Sequence, residues 1–153
     1  MIDKKYIIPI LIVILIIGGG LGAYITSQFQ VGTAYFSLPE GYHAETHNDG
    51  IVNLTNGKDS LILNEYSSNH TDEKIPLNYY KTTKEKQNVS VKLENFSVYN
   101  TKIYKASITN GTDVYHYWFS KDGKVYEFAS YDGNRNTDEL VSTLIKSMRS
   151  SII

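Results

Sequence analysis

The sequence predicts an α+β protein: an N-terminal transmembrane helix, then one antiparallel sheet flanked by two helices. Three observations carry this. Tyr6 to Ile25 is an uncharged apolar run. From about residue 34 onward, apolar and polar residues alternate at period two between Gly-containing turns. Two later segments, 76–86 and 137–149, switch to helical spacing.

The apolar run YIIPILIVILIIGGGLGAYI has 20 residues. At about 1.5 Å per residue it spans roughly 30 Å, the thickness of a bilayer's hydrocarbon core. A soluble core helix would keep a polar face, and this run has none. Lys4 and Lys5 precede it, and the next basic residue is Lys58. That bias places the N-terminus in the cytoplasm and the remainder outside. Tyr6 and Tyr24 fall at the two interfaces, and Pro9 sits in the first turn, where its missing N–H is harmless. A cleaved signal peptide has a shorter apolar region and a small-x-small cleavage site; this run is longer and no clear A-x-A follows, so it reads as a retained anchor. Gly18 and Gly22 form a GxxxG pair suited to helix–helix dimerisation. Residues 1–26 are thus the anchor, 27–34 a polar linker and 35–153 an extracytoplasmic domain.

Within the domain, Ala34–Leu38 reads as a first strand, ended by Pro39-Glu-Gly41. Tyr42–Thr46, Ile51–Leu54 and Leu61–Tyr66 follow, separated by Asn48-Asp-Gly50 and Asn56-Gly57. A helix runs from Pro76, placed at the first helical position, to Lys86. Four strand segments come next: Val89–Glu94 continued by Phe96–Tyr99, Ile103–Thr109, Asp113–Ser120 and Val125–Ser130. Asn136 and Glu139 have capping-box spacing ahead of a last helix, Thr137 to Arg149. Its apolar stripe is Leu140, Val141, Leu144, Ile145 and Met148.

Asn110-Gly111 and Asp122-Gly123 are strong two-residue hairpin signals. Taken as such, they pair Ala106 with Tyr115, Tyr104 with Tyr117, Phe119 with Tyr126 and Tyr117 with Phe128. One face then carries Tyr104, Ala106, Ile108, Tyr115, Tyr117, Phe119, Tyr126 and Phe128, and the last helix covers it. The other face carries Lys105, His116, Trp118 and Glu127 together.

Composition removes several function classes. The 153 residues include no cysteine, which excludes disulfides, thiolate zinc sites and thiol nucleophiles. Without Asp3, Lys4 and Lys5 the chain carries 13 basic and 15 acidic residues, a net of −2. Such a balance argues against nucleic acid as a partner.

The opening phrase Phe36-Ser-Leu-Pro-Glu-Gly-Tyr42, the strand–helix–four-strand–helix order and the closing Asp138-Glu-Leu-Val-x-x-Leu-Ile-Lys-Ser147 resemble the Mog1/PsbP-type family. The resemblance covers about Tyr35 to Ser150 and implies an α/β/α sandwich. The family's members include many small anchored or secreted prokaryotic proteins without known activity and others that bind a partner protein, so the resemblance points to a binding role. No catalytic residue comes with the resemblance. The Lys/Asn/Ile-rich composition without a lipid-attachment cysteine is similar to that of archaeal surface proteins.

Candidate sites follow from spacing. His43, Glu45 and His47 alternate along a strand, the pattern of a divalent-metal site, with the solvent face of a short strand as the plainer reading. Trp118, His116, Lys105 and Glu127 form a mixed aromatic and charged patch, fit for a protein partner if the first helix leaves that face open. Sequons stand at Asn53, Asn69, Asn88, Asn95 and Asn110, the last also a turn residue; the first four are candidate glycosylation sites. No nucleophile elbow, phosphate loop, HExxH or EF-hand is present, so neither catalysis nor a cofactor is expected. The reading is a membrane-tethered, non-catalytic binding or accessory module at the cell surface, engaging a protein or the envelope. A metal- or small-ligand carrier using His43, Glu45 and His47 is the alternative.

Overall fold

The structure, a computed structural model, describes residues 28–66, 71–133 and 136–150. The anchor Tyr6–Ile25, the Gly18/Gly22 pair and the sequon at Asn69 lie outside the described residues. Among the described residues no helix is long and apolar enough to cross a membrane.

Among the described residues ten strands and two helices occur, in the order β1 (Gln28–Val31), β2 (Ala34–Ser37), β3 (His43–Thr46), β4 (Val52–Thr55), β5 (Ser60–Glu65), α1 (Lys74–Lys86), β6 (Lys92–Val98), β7 (Thr101–Asn110), β8 (Thr112–Lys121), β9 (Lys124–Ser130), α2 (Thr137–Ser147) and β10 (Arg149–Ser150). They build two antiparallel sheets rather than one. The large sheet has strand order β3-β4-β5-β9-β8-β7-β6; a small one has β1-β2-β10. Gln28–Val31, within the stretch expected as a linker, therefore forms a strand. Phe29 and Val31 alternate with glutamines and pair with Phe36 and Ala34. Gly32 turns the chain at φ +57°, and a Cβ there would lie 2.5 Å from Glu65 Cβ. Glu65 Oε2 accepts hydrogen bonds from Thr33 N (2.6 Å) and Thr33 Oγ1 (2.8 Å), tying this hairpin to β5. The small sheet covers part of one face of the large sheet; Phe36 packs edge-on to Tyr126 and Phe128.

The two helices lie on opposite faces. Val141, Leu144, Ile145 and Met148 of α2 and its C-terminus share a core with Leu54, Leu63, Ile103, Tyr117, Phe119, Tyr126 and Phe128. Leu77 of α1 packs with Ala106 and Trp118, flanked by Tyr66, Tyr80, Val91 and Tyr104. Helix α1 begins two residues before Pro76, which still falls in the first turn, where its missing N–H breaks no helical bond. The Asn136/Glu139 capping box is not formed: Asn136 makes no side-chain cap bond.

The Asp122-Gly123 hairpin has the expected register, Lys121↔Lys124, Phe119↔Tyr126 and Tyr117↔Phe128. The Asn110-Gly111 hairpin does not. Asn110 pairs with Thr112 across Gly111 alone, and Ala106 faces His116 instead of Tyr115. A slip of one residue sends every side chain of a strand to the opposite face. Tyr104 and Ala106 consequently join Trp118 under α1, with Ile108 on the same face of β7, whereas Ile103 and Lys105 join Tyr117 and Phe119 on the α2 side.

Candidate binding site between helix α1 and the large sheet

Helical spacing on α1 turns Pro76, Tyr80, Thr83 and Lys84 toward the sheet, with Tyr79 at the margin. Alternation along β8 puts His116 and Trp118 under them, and the register Trp118↔Glu127 brings in Glu127 from β9. Tyr66, just after β5, and Tyr131, just after β9, complete the wall of a pocket of about 350 Å³.

His116 and Glu127 are joined by a 2.6 Å contact between Nδ1 and Oε1. The second carboxylate oxygen, Oε2, accepts the Tyr66 hydroxyl. Burial pushes the Glu127 pKa up, but hydrogen bonds from His116 and Tyr66 outweigh it and hold the carboxyl below its ordinary value. An ionised carboxylate only accepts, so Nδ1 of His116 carries the proton. Nε2 has no hydrogen-bond partner among the described residues. Burial, helped by the bond to Glu127, raises the Tyr66 pKa; burial raises Tyr80 to about 12 and also raises Tyr131.

The aromatic rings form a connected set. Tyr80 lies 4.3 Å from the His116 ring and 5.3 Å from Trp118, centroid to centroid. His116 stacks on Trp118 at 5.5 Å and meets Tyr131 edge-on at 5.4 Å. Lys84 Nζ stands 5.6 Å over Tyr80. Trp118 is 1 % exposed and His116 5 %. Trp118 Nε1 is buried without a hydrogen-bond partner among the described residues, though near enough to Glu127 to favour its ionised form.

Of the patch expected from sequence, Trp118, His116 and Glu127 come together, but beneath α1 and not on an open sheet face. Lys105 is on the other side of the sheet. Its Nζ pairs with Asp138 of α2 at 2.8 Å and lies 4.5 Å over the Tyr115 ring, while Tyr117 donates to Asp138 at 2.7 Å. This is a clamp holding α2 by its N-terminal turn, where a carboxylate also meets the positive end of the helix dipole. A groove of about 540 Å³ beside it is lined by Glu94, Lys105, Asp138, Glu139 and Lys146. Its Lys105 and Asp138 already neutralise each other, as Glu94 does with Lys92.

His43 and Glu45 stand exposed on edge strand β3. His47 has left the strand, its carbonyl and N–H closing the turn to Gly50 and Ile51. No group of three His, Asp or Glu side chains that could hold a metal occurs among the described residues. Asn88 and Asn95 are exposed, while Asn53 is half-buried and accepts the Ser60 hydroxyl at 2.9 Å. Tyr66, Tyr79, Tyr80 and Tyr131 were not singled out by sequence. The available signal was Leu77, Tyr80 and Lys84 at helical spacing, facing a strand that carries His116 and Trp118.

No protein-family model matches the chain. No curated protein matches it either. Among solved structures it is similar to the solution structure of cyanobacterial PsbP (CyanoP) from Synechocystis sp. PCC 6803. The identity is 14%, the TM-score 0.45, and the likeness covers 77% of this chain and 86% of that one. At that identity and score nothing about function passes from that protein to this chain.

Proposed function

We propose that the chain is a membrane-tethered, extracytoplasmic binding module without catalytic activity, engaging a protein or cell-envelope partner at the pocket between α1 and the large sheet. The observation that carries this is the His116–Glu127–Tyr66 network set into a pocket walled by tyrosines. A buried polar network inside an apolar wall is the usual make-up of a ligand site. It is also an expensive arrangement to keep in a core where an apolar filling would do. The tether rests on the uncharged run Tyr6–Ile25 and the basic pair Lys4 and Lys5 ahead of it. The mouth of the pocket carries Tyr79 and Tyr131, 76 % and 54 % exposed, the kind of rigid aromatic that dominates binding energy.

The test is affinity capture of the full chain from native membranes after mild crosslinking, alongside a Tyr79→Ala/Tyr131→Ala variant. The proposal predicts a discrete partner with the wild type, reduced about tenfold or more in the variant. Equal recovery by both would contradict it. No observation favours a metal carrier at His43, Glu45 and His47.

A further inference from the structure

We propose that the pocket binds a neutral saccharide, one or two pyranose rings deep, with Tyr79 and Tyr131 flanking the sugar and His116 Nε2 hydrogen-bonded to one of its hydroxyls. The inference rests on the reading of this pocket as the binding site and names its ligand class.

Three features lead there. The first is the wall. Aromatic faces are negative at the ring centre and attract the polarised C–H bonds on the flat side of a sugar ring. Tyr79 and Tyr131 present rings to water at the mouth, and Tyr80 continues the surface inward. The second is the mixture of polar groups. Tyrosine hydroxyls and Thr83 both donate and accept, Lys84 only donates, and His116 offers Nε2 while its Nδ1 is held by Glu127. Sugar hydroxyls, donors and acceptors at once, match such a mixed set.

The third is charge. An ammonium ligand would need an uncommitted carboxylate and no competing cation in the pocket. Both Glu127 oxygens already accept, from His116 and Tyr66, and Lys84 already stands over Tyr80. An anionic ligand would gain Lys84 but meet the Glu127 carboxylate at the pocket floor. A neutral polyhydroxy ligand avoids both conflicts. The volume of about 350 Å³ is at the small end of ligand sites, which run roughly 300–1,000 Å³.

The experiment is saturation-transfer NMR on the full chain in lipid nanodiscs free of choline and sugar headgroups. The probes are cellobiose, maltose and N,N′-diacetylchitobiose, with choline and glucuronate as charged comparators, all at millimolar concentration. The expected result is transfer to at least one neutral disaccharide in preference to both charged probes. Its affinity falls about tenfold in Tyr79→Ala and in Tyr131→Ala, exposed positions whose replacement leaves the core intact. Sedimentation with insoluble envelope polysaccharide, competed by the same disaccharide, assigns a polymeric source; disaccharide binding without sedimentation assigns a free sugar. Three results overturn the proposal: no transfer to any neutral disaccharide, preference for choline or glucuronate, or affinity unchanged by both substitutions. If sugars fail while the wild type still captures a partner that the double variant loses, the binding-module reading stands and the saccharide assignment falls.

Discussion

Glu127 reaches diagonally across the β8–β9 ladder to hold His116 at 2.6 Å, and both lie under Tyr80 of α1. The pair fixes the imidazole with Nδ1 toward the carboxylate. Tyr66 donates to the other carboxylate oxygen, so both oxygens are hydrogen-bonded before any ligand arrives. This preorganised centre is the feature from which the functional reading grows.

Glu127 ties stability to acid. Its folded pKa lies below the ordinary 4.5, so the folded state binds this proton less readily than the unfolded chain. Its contribution is present above 4.5 and is lost as pH falls through the lower folded value. Urea unfolding at neutral and acidic pH should show Glu127→Gln destabilised by about 1–2 kcal/mol near pH 7. The difference from wild type should shrink at acid pH. A constant difference would contradict this.

The buried phenols act at the other end of the scale. Burial raises Tyr80 and Tyr126 to about 12, and Tyr66 and Tyr117 higher still. Their folded values exceed the unfolded 10, so their stabilisation is complete below pH 10 and fades as pH climbs toward 12. Tyrosinate absorbance should show a phase well above pH 10 that coincides with unfolding and belongs to these buried rings. A single phase near pH 10 would contradict the burial.

Trp118 reports directly on α1. At 1 % exposure its emission should be blue-shifted and insensitive to iodide. Tyr80→Ala removes the ring 5.3 Å above it and should shift emission red and admit the quencher. Unaltered quenching in that variant would mean that another part of the wall shields the indole.

Much of this arrangement was legible in the sequence, and where it was not the physics says why. Asp122-Gly123 takes positive φ at both residues, 51° and 74°, as a tight turn of this type requires, and its register follows. At Asn110-Gly111 the dipeptide looks equally strong, yet neither strand can arbitrate a slip. Residues 116 to 119 are buried on both faces of β8, and Ala106, Ser107 and Ile108 are buried consecutively on β7. A strand covered on both sides carries no alternation to set register, and so the two-residue turn expected from the dipeptide puts Lys105 on the wrong face. The β1 strand was missed because four residues, two of them glutamine, give a weak period-two signal. What makes it a strand is the long-range tie of Thr33 to Glu65.

That tie has its own test. Gly32 sits at φ +57°, where a side chain is strained, and its added Cβ would run into Glu65. Gly32→Ala should lower unfolding free energy by about 1–2 kcal/mol from the backbone alone, and more through the displaced carboxylate. Denaturant titration measures it. A neutral effect would contradict the placement of the hairpin against β5.

The most direct test of the central claim compares two photoreactive substitutions in the full chain in native membranes. One replaces Tyr79 at the pocket mouth and the other Tyr99 in the β6–β7 turn, positions matched in exposure at 76 % and 77 %. The account predicts a discrete crosslinked product from position 79 and none from position 99. The same products from both positions, or a product from position 99 alone, would contradict binding at the pocket under α1.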